Sequence, residues 1–147
     1  MPFRFTLAPL LRLRQSIERQ RALQLQEANL QVSLAQETLA QLERFLSDSS
    51  QSESAGLTAG CTAAELPFAS VIRENLHHFR QELESDIRKL ELLRKQAASA
   101  YHQAYREREV IETLRARQRR EYQQEQLRRQ QQELDATYLL QRWHRRN

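Results

Sequence analysis

Residues 25–46 read LQEANLQVSLAQETLAQLERFL. Leu25, Ala28, Val32, Ala35, Leu39, Leu42 and Leu46 recur at strictly alternating steps of three and four. That spacing keeps one apolar line on a helix facing a partner helix, the seam of a coiled coil. Upstream, Leu10, Leu13 and Ile17 extend the stripe until Arg21 interrupts it within a run of steps of four. Such a stutter unwinds a supercoil locally. Pro9 is tolerated in a first helical turn, where its missing donor costs nothing, so the helix cap is expected near Thr6 or Ala8.

Composition agrees. The 147 residues include 39% hydrophobic and 29% charged side chains, with only two glycines and three prolines. So few breakers leave almost no turns, and little Val or Ile is available for strands, which excludes sandwiches, barrels and βαβ folds. An all-α chain of long helices remains. Its longest apolar run, residues 7–11, contains Pro9 and is far short of the ~18 residues of a spanning helix. The first 21 residues hold five Arg and one Glu, a composition also found in organelle transit peptides, but they run without a break into the first helix. Cys61 is the single cysteine, so it has no internal disulfide partner and suits a reducing compartment.

The seam disappears in residues 47–67, which are Ser-rich and contain Gly56, Gly60 and Pro67; by composition this is a flexible linker. Periodicity resumes with Ile72, Leu76, Phe79, Leu83, Ile87, Leu90, Leu93, Ala97, Ala100, Ala104, Ile111 and Leu114. Helix-favouring Arg, Gln and Glu carry the chain onward to about residue 143. The expected architecture is a single coiled-coil unit over 1–147: a helix over 6–46, a linker over 47–67 and a longer helix over 68–143. The two helices, roughly 60 Å and 110 Å long, fold into an antiparallel hairpin, with residues 109–143 overhanging. A parallel homodimer is the competing arrangement.

Charge is unevenly distributed. Residues 1–21 carry a net +4, residues 22–100 a net −4, and residues 101–147 a net +4. A hairpin would gather the two basic segments at its open end, and a basic tip seeks acidic or phosphate surfaces.

No catalytic constellation emerges. His77, His78, His102 and His144 lack neighbours that would make a nucleophile or a metal site; Glu74 and His78 share a helix face without further ligands. Carboxylates such as Glu82 and Asp86 sit on a solvated helix with no dry pocket to separate their pKa values. Two glycines cannot build a phosphate loop. The chain is therefore expected to be no enzyme and to need no cofactor. Nucleic-acid binding is suggested by Arg115, Arg117, Arg119 and Arg120 interleaved with Tyr101, Tyr105, Tyr122 and Trp143. However, Glu107, Glu109, Glu112, Glu121 and Glu125 dilute the positive field that a basic region requires. Phe45, Phe68 and Phe79 gather where the first helix ends and the second begins. They either pack at the hairpin tip or form a docking patch. Leu23, Leu30 and Leu34 form a second stripe that also suggests a docking face.

The opening Phe3-Arg4-Phe5, then Leu7, Leu10-Leu11 and Leu13-Arg14, resembles the start of the FliJ family of the bacterial flagellar type III export apparatus. The stretch from Tyr105 to Glu112, followed by Leu114, Arg117-Gln118, Tyr122, Arg128-Arg129 and Glu133-Leu134-Asp135, is similar to the same family. The Gln130-Gln131-Gln132 run and the Ser-rich linker depart from its pattern without touching these blocks.

The resemblance implies an antiparallel two-helix coiled coil acting as a stalk. It implies binding to the flagellar export ATPase hexamer, contact with the cytosolic domain of the export gate membrane protein FlhA, and recycling of flagellar export chaperones. It also implies a cytoplasmic protein, peripheral at the inner membrane's cytoplasmic face through the export apparatus, without direct membrane insertion. On this reading the ATPase contact is assigned to Arg4, Leu7, Leu11, Arg14, Arg108, Glu112, Arg115, Gln118, Arg119 and Tyr122. The gate contact is assigned to Leu39, Leu42, Phe45, Phe68, Ile72, Leu76 and Phe79. Two other readings stay open: a basic coiled-coil nucleic-acid binder, whose affinity would fall steeply with salt, and a generic coiled-coil scaffold, which would tolerate loss of residues 109–147.

Overall fold

The computed structural model describes residues 2–58, 60 and 65–146. Helix α1 spans Ala8–Thr58, 51 residues, and helix α2 spans Glu65–His144, 80 residues. They pack against each other, and no strand occurs among the described residues. The all-α fold of two long helices, the second longer, is as the periodicity predicts. Pro9 lies in the first turn of α1 and Pro67 in the first turn of α2, where a missing N–H costs least. Arg142 and His144 in the last turn of α2 complement the negative end of its dipole.

The first helix runs further than its composition suggests. Residues 47–58, expected as linker, continue α1, and α2 begins at Glu65. Of the connection, residues 59 and 61–64 lie outside the described residues, and Gly60 has φ of 87°, a conformation that suits glycine. Tertiary contact explains the extra turns. Glu53 pairs with Arg73 of α2, and Ser49 and Glu53 line a groove with Ala69, Ile72 and Leu76. The Ser54 hydroxyl donates to the carbonyls of Ser50 (3.1 Å) and Gln51 (2.9 Å). A stretch of indifferent propensity is thus held helical by its partner.

Contacts divide the chain into two compact units, Gln20–His102 and Met1–Arg19 with Gln103–Asn147. In the first of these, all seven seam residues from Leu25 to Leu46 are buried or half-buried, with Val32 only 2% exposed. Leu76, Leu83, Ile87, Leu90, Ala97 and Ala100 of α2 are likewise buried or half-buried, and Leu46 lines a groove with Leu76 and Ala28 one with Leu90. The pairing is antiparallel: Glu53 lies against Arg73, and Glu43 against Arg80 at 3.1 Å. Ile72, Phe79 and Leu93, expected in the seam, are instead exposed. The next residues along, Arg73, Arg80 and Arg94, are half-buried, and Arg73 and Arg80 pair with Glu53 and Glu43 of α1. Long cationic side chains bury their aliphatic stems while the charged head stays polar-bound.

In the other unit the core is Phe5, Leu11 and Ile111, with Phe3 and Ala8 packed against it. Ala104 is also buried. This pairing is antiparallel too, since Phe3 lies against Tyr122 and Arg14 against Glu107. The stripe expected through Leu10 and Leu13 is corrected: Leu13 is 55% exposed and Leu10 is also exposed, while Leu11, Arg14, Gln15 and Glu18 are covered. The overhang is shorter than expected as well. Ile111 is buried and Gln118 and Tyr122 are half-buried, so the fully exposed run begins at Leu127. The reason is geometric. Residues before Ala8 are not helical, and extended chain advances roughly 3.3 Å per residue against 1.5 Å in a helix.

Candidate partner-binding surfaces

An ionic cluster lies beside the Phe5, Leu11, Ile111 core. Arg14 pairs with Glu107, and Arg108 pairs with Glu18 across the helices and with Glu112 one turn along α2. The Arg108 guanidinium also sits 4.9 Å from the centroid of the Tyr105 ring. Burial opposes the charge on Arg108, but the hydrogen bond from Arg108 to Glu18 and the negative charges of Glu112 and Glu18 outweigh it. Its pKa is raised above the ordinary guanidinium value. This cluster therefore holds a permanently charged Arg in a fixed place between two helices.

That arrangement sorts the ten residues assigned to the ATPase contact. Leu11, at 4% exposure, is committed to the core and offers no contact surface. Arg14, Arg108 and Glu112 are tied into the ionic cluster, and Tyr122 lies on Phe3. Gln118 is half-buried. Arg4, Leu7, Arg115 and Arg119 are exposed, and the three arginines make no ion pair among the described residues. Other cations are partly neutralised: Arg117 meets Glu121 at 3.0 Å, and Arg128 and Arg129 share Glu125. The unit holds fifteen basic and eight acidic residues, a net +7.

Beyond Gln126 this unit carries a surface that belongs to no seam. Every residue of 127–146 is exposed, including Leu127, Leu134, Tyr138, Leu139, Leu140 and Trp143 (61%). These six large apolar side chains lie bare along one stretch of α2. The signal in the sequence is the return of Leu, Tyr and Trp after the seam has turned polar.

In the unit Gln20–His102, which carries eight basic and eleven acidic residues, the gate-assigned residues divide similarly. Leu39, Leu42 and Leu76 are half-buried in the seam, while Phe45, Phe68 (71%), Ile72 and Phe79 are exposed. Phe45, Leu46, Ile72 and Leu76 come together along one groove, whose walls Glu53 and Arg73 complete. Beside it lies a polar groove formed by Glu43, Ser47, Ser50, His77 and Arg80. No group of three or more potential metal ligands forms among the described residues. No described helix is long and apolar enough to cross a membrane.

Two long helices packed antiparallel, with exposed apolar and basic side chains, define the class: an all-α, coiled-coil-like two-helix protein. The sequence model of the family described as Flagellar FliJ protein matches residues 3–147, and the chain belongs to that family. FliJ proteins are non-catalytic components of the flagellar export apparatus. No curated protein and no solved structure matches the chain.

Proposed function

We propose that this chain is the stalk of the flagellar export ATPase: it binds the ATPase ring, promotes its assembly and activity, and couples it to the export gate and to export chaperones. The observation that carries the reading is the bare run of residues 127–146 in a unit of net +7. An unpartnered helix that combines exposed Leu, Tyr and Trp with Arg142, Arg145 and Arg146 suits an enclosing pore with apolar and acidic walls. Arg4, Leu7, Arg115 and Arg119 extend that contact surface, while Phe45, Phe68, Ile72 and Phe79 supply the gate contact. A stalk requires no catalytic residue. It acts by binding the conformations of a ring unequally, because only differential contact shifts an equilibrium. Placement at the cytoplasmic face of the inner membrane would follow from these partners.

The test is ATP hydrolysis by the cognate export ATPase as the chain is titrated in, with ring assembly followed by light scattering. Stimulation should saturate near one chain per hexamer and be lost on deleting residues 127–146. If the full, folded chain neither binds nor stimulates, the stalk reading fails.

A further inference from the structure

Helix α1 has a second apolar line opposite its seam. Leu23, Leu30 and Leu34 follow steps of seven and four and are 65%, 56% and 50% exposed. At 100° per residue they lie within about 40° of one another and on the far side of the helix from Leu25, Val32 and Leu39. The hairpin's own pairing does not use them. They have the spacing of a coiled-coil seam whose partner is another molecule.

Charge identifies the partner's chemistry. Residues 22–43 contain Glu27, Glu37 and Glu43 and not one Lys or Arg. Glu43 is occupied with Arg80, whereas Glu27 and Glu37 are exposed and make no ion pair among the described residues. Both flank the leucine line at helical spacing, and Glu27 also borders a groove lined by Ala28, Leu90 and Leu93. Pairing with the same face of a second copy would set these carboxylates against each other, which disfavours a homodimer. We propose that this face docks one amphipathic helix of another protein, with leucines at heptad spacing and Lys or Arg on its flanks. The proposal does not rest on the stalk reading, because it concerns residues that the ATPase and gate contacts do not use.

The test uses the full chain and two fluorescein-labelled synthetic helices with the same leucine spacing, one flanked by Lys and one by Glu, followed by anisotropy at physiological salt. The Lys-flanked peptide should bind saturably at one per chain, and the Glu-flanked peptide should not. Leu30→Gln with Leu34→Gln should weaken binding about tenfold or more with helical circular dichroism unchanged, since both positions are exposed. Glu27→Lys with Glu37→Lys should reverse the preference between the peptides. Leu134→Gln, in the other unit, should leave binding intact. Equal binding of both peptides, or equal loss with Leu134→Gln, would overturn the proposal. So would a dimer in sedimentation that Leu30→Gln with Leu34→Gln dissolves, which would assign the face to a second copy.

Discussion

The ring of Phe3 packs on the ring of Tyr122, with centroids 5.6 Å apart and planes inclined at 48°. A residue ahead of α1 thereby reaches a point on α2 well past Ile111. This contact sets where the paired part of the unit ends and where bare helix begins.

Phe3→Ala should therefore loosen the N-terminal segment without unfolding the unit Gln20–His102. The aromatic pair itself contributes about 0.5–1.5 kcal/mol beyond its area. A double-mutant cycle with Tyr122→Ala, read by thermal unfolding, measures it; a coupling near zero would show that the rings touch without holding the segment.

Arg108 offers a pH test. Its folded pKa is raised, so its contribution is complete below the ordinary guanidinium value and is lost only as pH rises through the higher folded value. Between pH 7 and pH 10 the wild-type melting temperature should not respond to this group. In Arg108→Lys the ammonium, whose ordinary pKa is about 10.4, keeps its contribution beside the same carboxylates up to about that pH and loses it above. The variant should therefore lose stability as the pH rises beyond about 10.4 while this group in the wild type still holds. Parallel slopes for the two proteins would remove Arg108 from the account.

Val32 and Leu30 lie two residues apart on opposite faces of α1. Val32→Ala should cost about 1–3 kcal/mol because it opens a cavity in a tight seam, and Leu30→Ala should stay within about 0.5 kcal/mol. Chemical denaturation followed by circular dichroism distinguishes them. Equal losses would mean that the Leu30 face is already covered in solution.

Arg115→Glu with Arg119→Glu should leave the helix content unchanged, since both side chains are exposed and make no ion pair among the described residues. The same change should weaken binding to the export ATPase and flatten its dependence on salt. Unchanged affinity would remove these arginines from the contact.

Phe45→Ala with Phe79→Ala removes two exposed rings from the unit Gln20–His102. Binding to the export gate's cytosolic domain should fall while ATPase stimulation is retained. Intact gate binding with both rings gone would place the gate contact elsewhere.

Much of this protein was legible in residue spacing. The strict alternation from Leu25 to Leu46 determines a helix with one buried face, because a 3.5-residue apolar repeat can be satisfied only by a partner alongside. The scarcity of Gly, Pro, Val and Ile leaves no competing fold. The sequence alone also determines the basic and acidic segments and the outer line of Leu23, Leu30 and Leu34. Tertiary structure decided the rest. Only the packed helices show that residues 47–58 are helical, since a stretch so rich in Ser and holding Asp48, Gly56 and Thr58 is indifferent until Arg73 and Ile72 lie beside it. Only packing shows that Leu11 rather than Leu13 enters the core, because Phe5 and Ile111 choose the face. Likewise, Arg14, Arg108, Arg115 and Arg119 look alike in sequence, and it is the neighbouring helix, by placing carboxylates within reach of the first two, that makes those structural and leaves the others open to a partner.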